Sequence, residues 1–290
     1  MPTDPLQLTI AVLEYTLVFG GAGLTLWLLF NARQRQRWLA VRQLPQFSLT
    51  LTEFALGAGL IFLSGFACSA LVQLLFGPAL AKAPDHTGIE LFVYGVANYG
   101  GALLGWRVLF PSIQRTWQFG SNLPPPRPVR PTLSWSEATG YAIGTLLVAL
   151  PVLILLSLGW MELLRVCGLP DEPQDLIALF TQTKSPFIVA GMLLVACVGA
   201  PIYEELLFRA GLYRFVRQKL GRTPGLLISG LCFGALHANW ASFLPLAVLG
   251  MLLALVYEAT GSIRVAIIAH GLFNLNTIIL LLSGLTQSNS

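Results

Sequence analysis

The amino-acid sequence predicts an all-α polytopic membrane protein, a bundle of about eight transmembrane helices. Hydrophobic residues make up 55% of the 290 residues and charged residues only 10%, whereas charged residues make up about 25% of an average soluble domain. Apolar runs recur at about the 20 residues that a helix needs to cross the hydrocarbon core of a bilayer. The alternating pattern typical of membrane β-strands is absent from the sequence. Together these observations favour helices that cross a membrane several times.

The expected spans follow one another along the chain. They cover residues 8–30, 48–76, 88–110, 138–160, 184–203, 224–241, 243–258 and 263–284. The run at 243–258 is the least typical of them, because it is short and contains Pro245. The residues before the first run include Asp4 but no Lys or Arg, so the basic segment that opens a signal peptide is missing. The first run is therefore expected to remain as a membrane helix.

Two blocks of spans are expected around one proline-rich linker. The stretch "NLPPPRPVRP" at 122–131 has proline in half of its positions, which is typical of an extended, semi-rigid connector. Residues 1–121 then form an N-terminal block of three spans, residues 122–137 a cytoplasmic linker, and residues 138–290 a C-terminal block. In the first block, Gly101 and Gly105 have the spacing that allows close packing of helices.

The distribution of basic residues predicts the orientation. Fourteen of the 17 Lys and Arg residues, Arg209 included, are assigned to one side of the expected spans. By the positive-inside rule that side is the cytoplasm, and both termini lie outside. The basic residues are divided among several loops instead of being gathered on one soluble face, so a nucleic-acid partner is not expected. The four cysteines have no C-x-x-C spacing, which argues against a disulfide framework or a thiolate zinc site.

Polar residues inside the C-terminal block are the candidate functional residues. An ionisable side chain at the centre of a bilayer costs about 2.5–3.5 kcal/mol on insertion scales, so such residues usually face an interior cavity. Helical rise places these residues in one layer, about 10–21 Å from the cytoplasmic ends of their helices. Glu205 and Arg209 lie four residues apart, as do His270 and Asn274, so each pair shares a helix face. The candidates are Glu204, Glu205, Arg209, Phe233, His237, His270 and Asn274.

Two kinds of chemistry suit this set of side chains. A carboxylate and an imidazole can hold and deprotonate a water molecule, while a second imidazole and an amide stabilise the oxyanion of an attacked carbonyl. Alternatively, Glu204, His237 and His270 offer the ligand types of a divalent zinc site. The H-E-x-x-H spacing that places two zinc ligands on one helical turn is absent. The residues leave both possibilities open.

Three short motifs in this block resemble a known family. "EELLFR" at 204–209 has the pattern E-E-x-x-x-R, "FGALH" at 233–237 has F-x-x-x-H, and "HGLFN" at 270–274 has H-x-x-x-N. In this order within a helical membrane chain they are similar to the motifs of the CPBP family. That family contains the type II CAAX prenyl endopeptidases and the bacteriocin-processing enzymes, also called ABI proteins. The resemblance covers about residues 186–280, and spans one to four carry no matching motif.

The resemblance implies an intramembrane endopeptidase, glutamic or metal-dependent, whose cavity opens to the cytoplasm. It implies that Glu204 activates the water, that His237 helps to hold it, and that His270 and Asn274 form the oxyanion hole. Glu205 and Arg209 are implied as supporting residues that orient Glu204, and Phe233 completes the second motif. The implied partners are the lipid bilayer and a membrane-associated protein or peptide substrate.

Two alternative functions remain open at this point. The same family includes non-catalytic proteins with immunity or scaffold roles. Buried carboxylates and histidines also form the proton relays of transporters, although the internal repeats or paired broken helices typical of a transporter are not evident in the sequence.

Overall fold

The structure is a computed structural model, and it describes residues 4–39, 44, 49–83, 85–120, 133–172, 180 and 185–285, without the side chains of 37–39 and 109–120. All regular secondary structure in these ranges is helical, which confirms the all-α prediction. The helices are α1 (Pro5–Phe30), α2 (Ala32–Leu39), α3 (Leu51–Leu80), α4 (His86–Gly120), α5 (Trp135–Val166), α6 (Pro186–Leu220), α7 (Arg222–Ala235), α8 (Trp240–Thr260) and α9 (Ile263–Leu282).

Within the described residues, six helices are long and apolar enough to cross a membrane: α1, α3, α5, α6, α8 and α9. Six of the about eight expected spans therefore meet the length and composition of a membrane-spanning helix, whereas α4 and α7 do not meet both. Helix α7 has only 14 residues, fewer than the roughly 20 needed to cross the hydrocarbon core. It stops at Ala235 because the chain turns at residues 236–238, where Ala238 has a φ of 48°. Helix α4 is long enough, but glycine, tyrosine and asparagine in its central part reduce its hydropathy.

The run around Pro245 forms a complete helix. Helix α8 spans 21 residues, and Pro245 lies in its second turn. Asn239 caps the helix by accepting a hydrogen bond from the backbone N–H of Ser242 at 2.9 Å. Helix α8 ends at Gly261, which has a φ of 67°, a conformation that glycine adopts without strain. A short apolar run with a proline is thus extended at both ends into a full span.

The main hydrophobic core lies where α5, α8 and α9 pack together. Its fully buried members include Ala142 of α5, Leu253 of α8 and Ala266 of α9. Helix α7 approaches α8 more closely than side chains would permit: a Cβ atom on Gly230 would lie 2.6 Å from the carbonyl oxygen of Ala247. Small residues at such a contact let helix backbones touch, and this contact fixes the position of the α7 residues that face the interior.

The first helices pack in two different places. Helix α3 packs on α4, and a Cβ atom on Gly101 would lie 2.6 Å from Sγ of Cys68, so the predicted close packing at Gly101 is present. Helix α1 instead packs on α5, and Gly21 meets the backbone of Leu147 there. The division into two blocks of spans remains a prediction. Of the predicted linker, residues 122–132 lie outside the described residues, and its last three residues belong to α5.

One basic residue was assigned wrongly in the orientation argument. Arg209 lies inside the bundle with 0% of its surface exposed, not in a cytoplasmic loop. The positive-inside argument therefore rests on one basic residue fewer, and the orientation stays a prediction. Arg209 forms an ion pair with Glu205 of its own helix. This pairing stabilises a charged residue inside the bundle.

Candidate active site

Helix α6 carries the two adjacent glutamates on a short α-helical turn between two wider π-helical segments. The turn is Ala200–Glu205, and the π-segments are Val195–Gly199 and Leu206–Tyr213. Such π-segments inside an α-helix are frequent at functional sites. A π-segment changes the direction in which the following side chains point. Here one π-segment lies on each side of the turn that carries Glu204 and Glu205.

Pro201 explains why one backbone carbonyl of this helix is available. The Ala200 N–H bonds to the carbonyl of Val195, five residues earlier. In the same register the Ala196 carbonyl would pair with the nitrogen of Pro201, which carries no hydrogen. The side-chain amide of Asn274 donates to the Ala196 carbonyl instead, at 2.8 Å. A proline in α6 thereby creates the contact that fixes Asn274 of α9.

Glu205 is the buried centre of the site. Its side chain and that of Arg209 are both 0% exposed, and Nη1 of Arg209 lies 2.9 Å from Oε1 of Glu205. The same carboxylate oxygen accepts a hydrogen bond from Nδ1 of His270 at 2.9 Å. Glu205 was expected to orient Glu204, and that role stays a prediction. Its direct contacts are with the His270 imidazole and the Arg209 guanidinium.

The Glu205 contact fixes the tautomer of His270. An ionised carboxylate has no proton to donate, so the proton of this hydrogen bond is on Nδ1. The other ring nitrogen, Nε2, faces Glu204, with 3.9 Å between Nε2 and Oε2. That distance is too long for a direct hydrogen bond. The Glu204 side chain is 17% exposed, so of the two glutamates it is the one that a solvent molecule or a substrate can reach.

Phe233 packs at the centre of the charged cluster. Its ring is 0% exposed and lies 4.4 Å from the guanidinium carbon of Arg209, a cation–π contact. The imidazoles of His237 and His270 stand edge-on to the same ring at 5.1 and 5.5 Å between centroids. Gly250 allows this arrangement, because a Cβ atom there would lie 3.2 Å from the Phe233 ring. The Gly250 carbonyl also accepts a hydrogen bond from Arg209 at 3.2 Å.

His237 lies in the turn that follows α7, half-buried. Its Nδ1 lies 2.8 Å from the carbonyl oxygen of Phe233, and since a carbonyl only accepts, Nδ1 is the donor. The Nε2 atom of neutral His237 is then an acceptor. In the described part of the chain no hydrogen bond or ion pair joins His237 to Glu204 or His270. The structure therefore brings Glu204, Glu205, Arg209 and His270 into one connected group, with His237 attached through Phe233 and Asn274 through Ala196.

The metal alternative can be tested against this geometry. Both histidines donate from Nδ1 to an oxygen, as metal-ligating histidines usually do. However, no three His, Cys, Asp or Glu side chains of the described ranges are grouped closely enough to hold a metal ion. In this conformation Glu204, His237 and His270 do not form the three-ligand set of a zinc site, and no reaction step is derived through a metal.

The sequence motifs did not reveal the contribution of the N-terminal helices. Tyr99 of α4 packs against Tyr203, with 5.6 Å between the ring centroids, and Tyr203 directly precedes Glu204. Helix α4 thus covers one side of the site. No spacing rule connects Tyr99 to a residue so distant in sequence; a polar aromatic residue in an apolar helix was the only available signal.

Comparison with known proteins identifies relatives of the region that contains these residues. Residues 186–276, which include all three motifs, match the family model described as "Type II CAAX prenyl endopeptidase Rce1-like". The resemblance to the CPBP family is confirmed for this region. A protein of Bacillus subtilis (strain 168) named "Putative membrane peptidase YdiL" is 32% identical over 115 residues, which are 40% of this chain. The aligned region spans 46% of that relative's length. No solved structure matches significantly.

The comparisons and the helices together support a general statement. The chain is an integral, multi-pass membrane protein whose C-terminal region is similar to intramembrane proteases.

Proposed function

We propose that this protein is an intramembrane endopeptidase that hydrolyses a peptide bond of a membrane-associated protein or peptide. The observation that carries the proposal is the arrangement of two adjacent carboxylates around one imidazole. Glu205 binds Nδ1 of His270 at 2.9 Å, while Glu204 lies 3.9 Å from Nε2 of the same ring. A fully buried group that orients a histidine, next to a partly accessible carboxylate, is typical of water activation.

Glu204 is the proposed general base. The separation of 3.9 Å between Glu204 and His270 leaves room for a water molecule held by the Glu204 carboxylate, while the single Nε2–H of His270 is kept for the substrate oxygen. His237 presents the acceptor nitrogen Nε2 and can take the second hydrogen of the water. Glu204 is preferred to Glu205 as the base because Glu205 is 0% exposed and already engaged by His270 and Arg209.

His270 and Asn274 are the proposed oxyanion hole. His270 donates from Nε2 when both of its nitrogens carry a proton, and the formal charges of Glu204, Glu205, Arg209 and this imidazolium then sum to zero. Asn274 uses one amide hydrogen for the Ala196 carbonyl, and its second hydrogen remains for the substrate oxygen. Donors held in place before the reaction stabilise the developing negative charge without reorganisation.

The reaction balances with these residues. Glu204 takes a proton from the water molecule while the water oxygen attacks the carbonyl carbon of the substrate. The carbonyl oxygen then becomes an oxyanion held by His270 and Asn274. When the carbon–nitrogen bond breaks, the proton on Glu204 passes to the leaving nitrogen. The products are a carboxylic acid and an amine, and Glu204 is again ionised. On the predicted orientation, the cavity opens to the cytoplasm.

Identification of cleavage products tests the proposal. A strain lacking the protein is complemented with the wild type or with Glu204→Gln, and mass spectrometry then compares new peptide termini near membrane segments. We expect termini that appear only with the wild type. Identical termini with Glu204→Gln at equal expression would instead support a non-catalytic binding or immunity role.

A further inference from the structure

A second charged cluster lies outside the proposed active site and is centred on Glu258 of α8. The Glu258 side chain is 1% exposed and accepts from two arginines, Arg217 Nε at 2.5 Å and Arg222 Nε at 2.6 Å. Arg217 is on α6 and Arg222 begins α7, so the carboxylate joins three helices. Sequence motifs gave no role to these residues.

The two arginines are held in place but not covered. Their side chains are 24% and 37% exposed, and their bonds to Glu258 use only the Nε atoms. Each guanidinium carries five N–H groups, so the terminal nitrogens remain for another acceptor. The buried Glu258 carboxylate fixes the two partly exposed arginine side chains. The site is therefore preorganised, because the arginines lose little side-chain freedom when an acceptor binds.

The local charge is strongly positive. Glu258 is the only acidic residue between 206 and 290, and it neutralises one of its two arginine partners. Lys219 and Arg264 lie in the adjoining segments at the same end of the bundle. At the start of α7, where the chain turns at Gly221 with a φ of 95°, no side chain caps the first turn. The positive end of that helix adds to the field of the arginines.

The cluster lies at the ends of two candidate membrane spans, where a membrane surface is expected. Helix α6 ends at Leu220, two residues before Arg222, and α8 ends at Thr260, two residues after Glu258. At the same end, the Arg264 guanidinium carbon lies 4.7 Å from the ring of Trp135, which begins α5. Trp135 is 66% exposed, and tryptophan at the end of a span is typical of the headgroup layer.

We propose that Arg217 and Arg222, positioned by Glu258, form a binding site for a phosphate group, and that the occupant is the headgroup of an anionic phospholipid. Guanidinium groups and an uncapped helix start are the donors that phosphate prefers. The position at the ends of three helices favours a lipid headgroup over free phosphate. This site is separate from peptide cleavage.

Thermal unfolding of the purified full chain in a neutral detergent tests the proposal. Dihexanoyl phosphatidylglycerol, dihexanoyl phosphatidylcholine and inorganic phosphate are titrated separately at constant ionic strength. We expect a saturable rise in Tm with phosphatidylglycerol and a much smaller one with the other two. An equal rise with inorganic phosphate would overturn the headgroup assignment, and equal rises with both lipids would overturn a site for anionic headgroups.

Three variants separate a built site from diffuse attraction. Arg222→Gln should weaken the apparent affinity for phosphatidylglycerol roughly tenfold, since one of two charge-assisted contacts is lost. Lys219→Gln is the matched control, because it removes the same charge three residues earlier, at the end of α6, from a residue with no ion pair to Glu258 among the described contacts. Glu258→Gln raises the net charge but releases the arginines, so binding should weaken. Equal losses with Lys219→Gln and Arg222→Gln, or tighter binding by Glu258→Gln, would contradict the proposal. If Glu258→Gln fails to fold, the other two variants decide.

Discussion

Replacing Glu205 with Gln removes the buried charge that holds the site together while keeping the side-chain volume. In the wild type, Glu205 pairs with Arg209 at 2.9 Å, and both side chains are 0% exposed. After Glu205→Gln, Arg209 keeps the Gly250 carbonyl at 3.2 Å and the Phe233 ring at 4.4 Å. Those groups are neutral, so the guanidinium loses the carboxylate that pairs with it directly, and only the electrostatic interaction with Glu204 remains.

The expected cost follows from this geometry. Removing one partner of a buried ion pair destabilises a protein by about 3–5 kcal/mol. The remaining contacts of Arg209 are favourable, and the glutamine oxygen can still accept a hydrogen bond, so we expect a value near the lower limit, about 3 kcal/mol. His270 also loses the ionised partner of its Nδ1, so cleavage should fall even in the folded fraction.

The assay combines the free energy of unfolding in detergent micelles with cleavage per folded molecule. The double variant Glu205→Gln/Arg209→Met is the control, because Met replaces the unpaired cation with an apolar side chain. It should recover most of the lost stability, while cleavage stays low because His270 still lacks its carboxylate. A single variant within about 1 kcal/mol of the wild type, against the loss of about 3 kcal/mol expected, would refute the central position of this ion pair. Restored cleavage in the double variant would refute the positioning role of Glu205.

Three further predictions concern the oxyanion hole, the metal alternative and the orientation. Asn274→Ala should lower kcat by about 10²–10³, the loss expected for one oxyanion donor, with no change in metal content; an unchanged kcat would contradict its role. Chelators should leave wild-type cleavage unchanged, whereas stoichiometric zinc lost together with activity in His237→Ala would establish the metal-dependent alternative. Cysteines introduced at Arg33 or Arg35 should react only with reagents that reach the cytoplasm, and labelling from outside would reverse the predicted orientation.

Sequence patterns singled out the candidate site residues but not most of their contacts. Glu204, Glu205 and Arg209 could be found because charges are rare in apolar helices, and helical spacing correctly paired Glu205 with Arg209. Spacing applies within one helix, so it could not show that Glu205 binds His270, 65 residues further along the chain. The contact between Glu205 and His270 could not be predicted for that reason.

The predicted spans and the helices differ where apolar composition and helix length differ. The run at 224–241 is mostly apolar, yet α7 ends at Ala235, because average hydropathy does not detect the turn at residues 236–238. Conversely, the short run at 243–258, which contains Pro245, lies within the 21-residue helix α8. The helix begins before this run because Asn239 caps its N-terminus. Tyr99 and Glu258 were missed because their roles depend on packing between helices.

The most direct test of the account is cleavage by the purified wild type and by Glu204→Gln in the same lipid nanodiscs. The substrate is a membrane-proximal peptide identified from the cellular comparison. Glu204 has one carboxylate oxygen with no direct hydrogen-bond partner in the protein, so the substitution should leave the unfolding temperature nearly unchanged. The account predicts that the wild type cleaves the peptide and that Glu204→Gln, equally folded, does not. Cleavage by Glu204→Gln at the wild-type rate would contradict it.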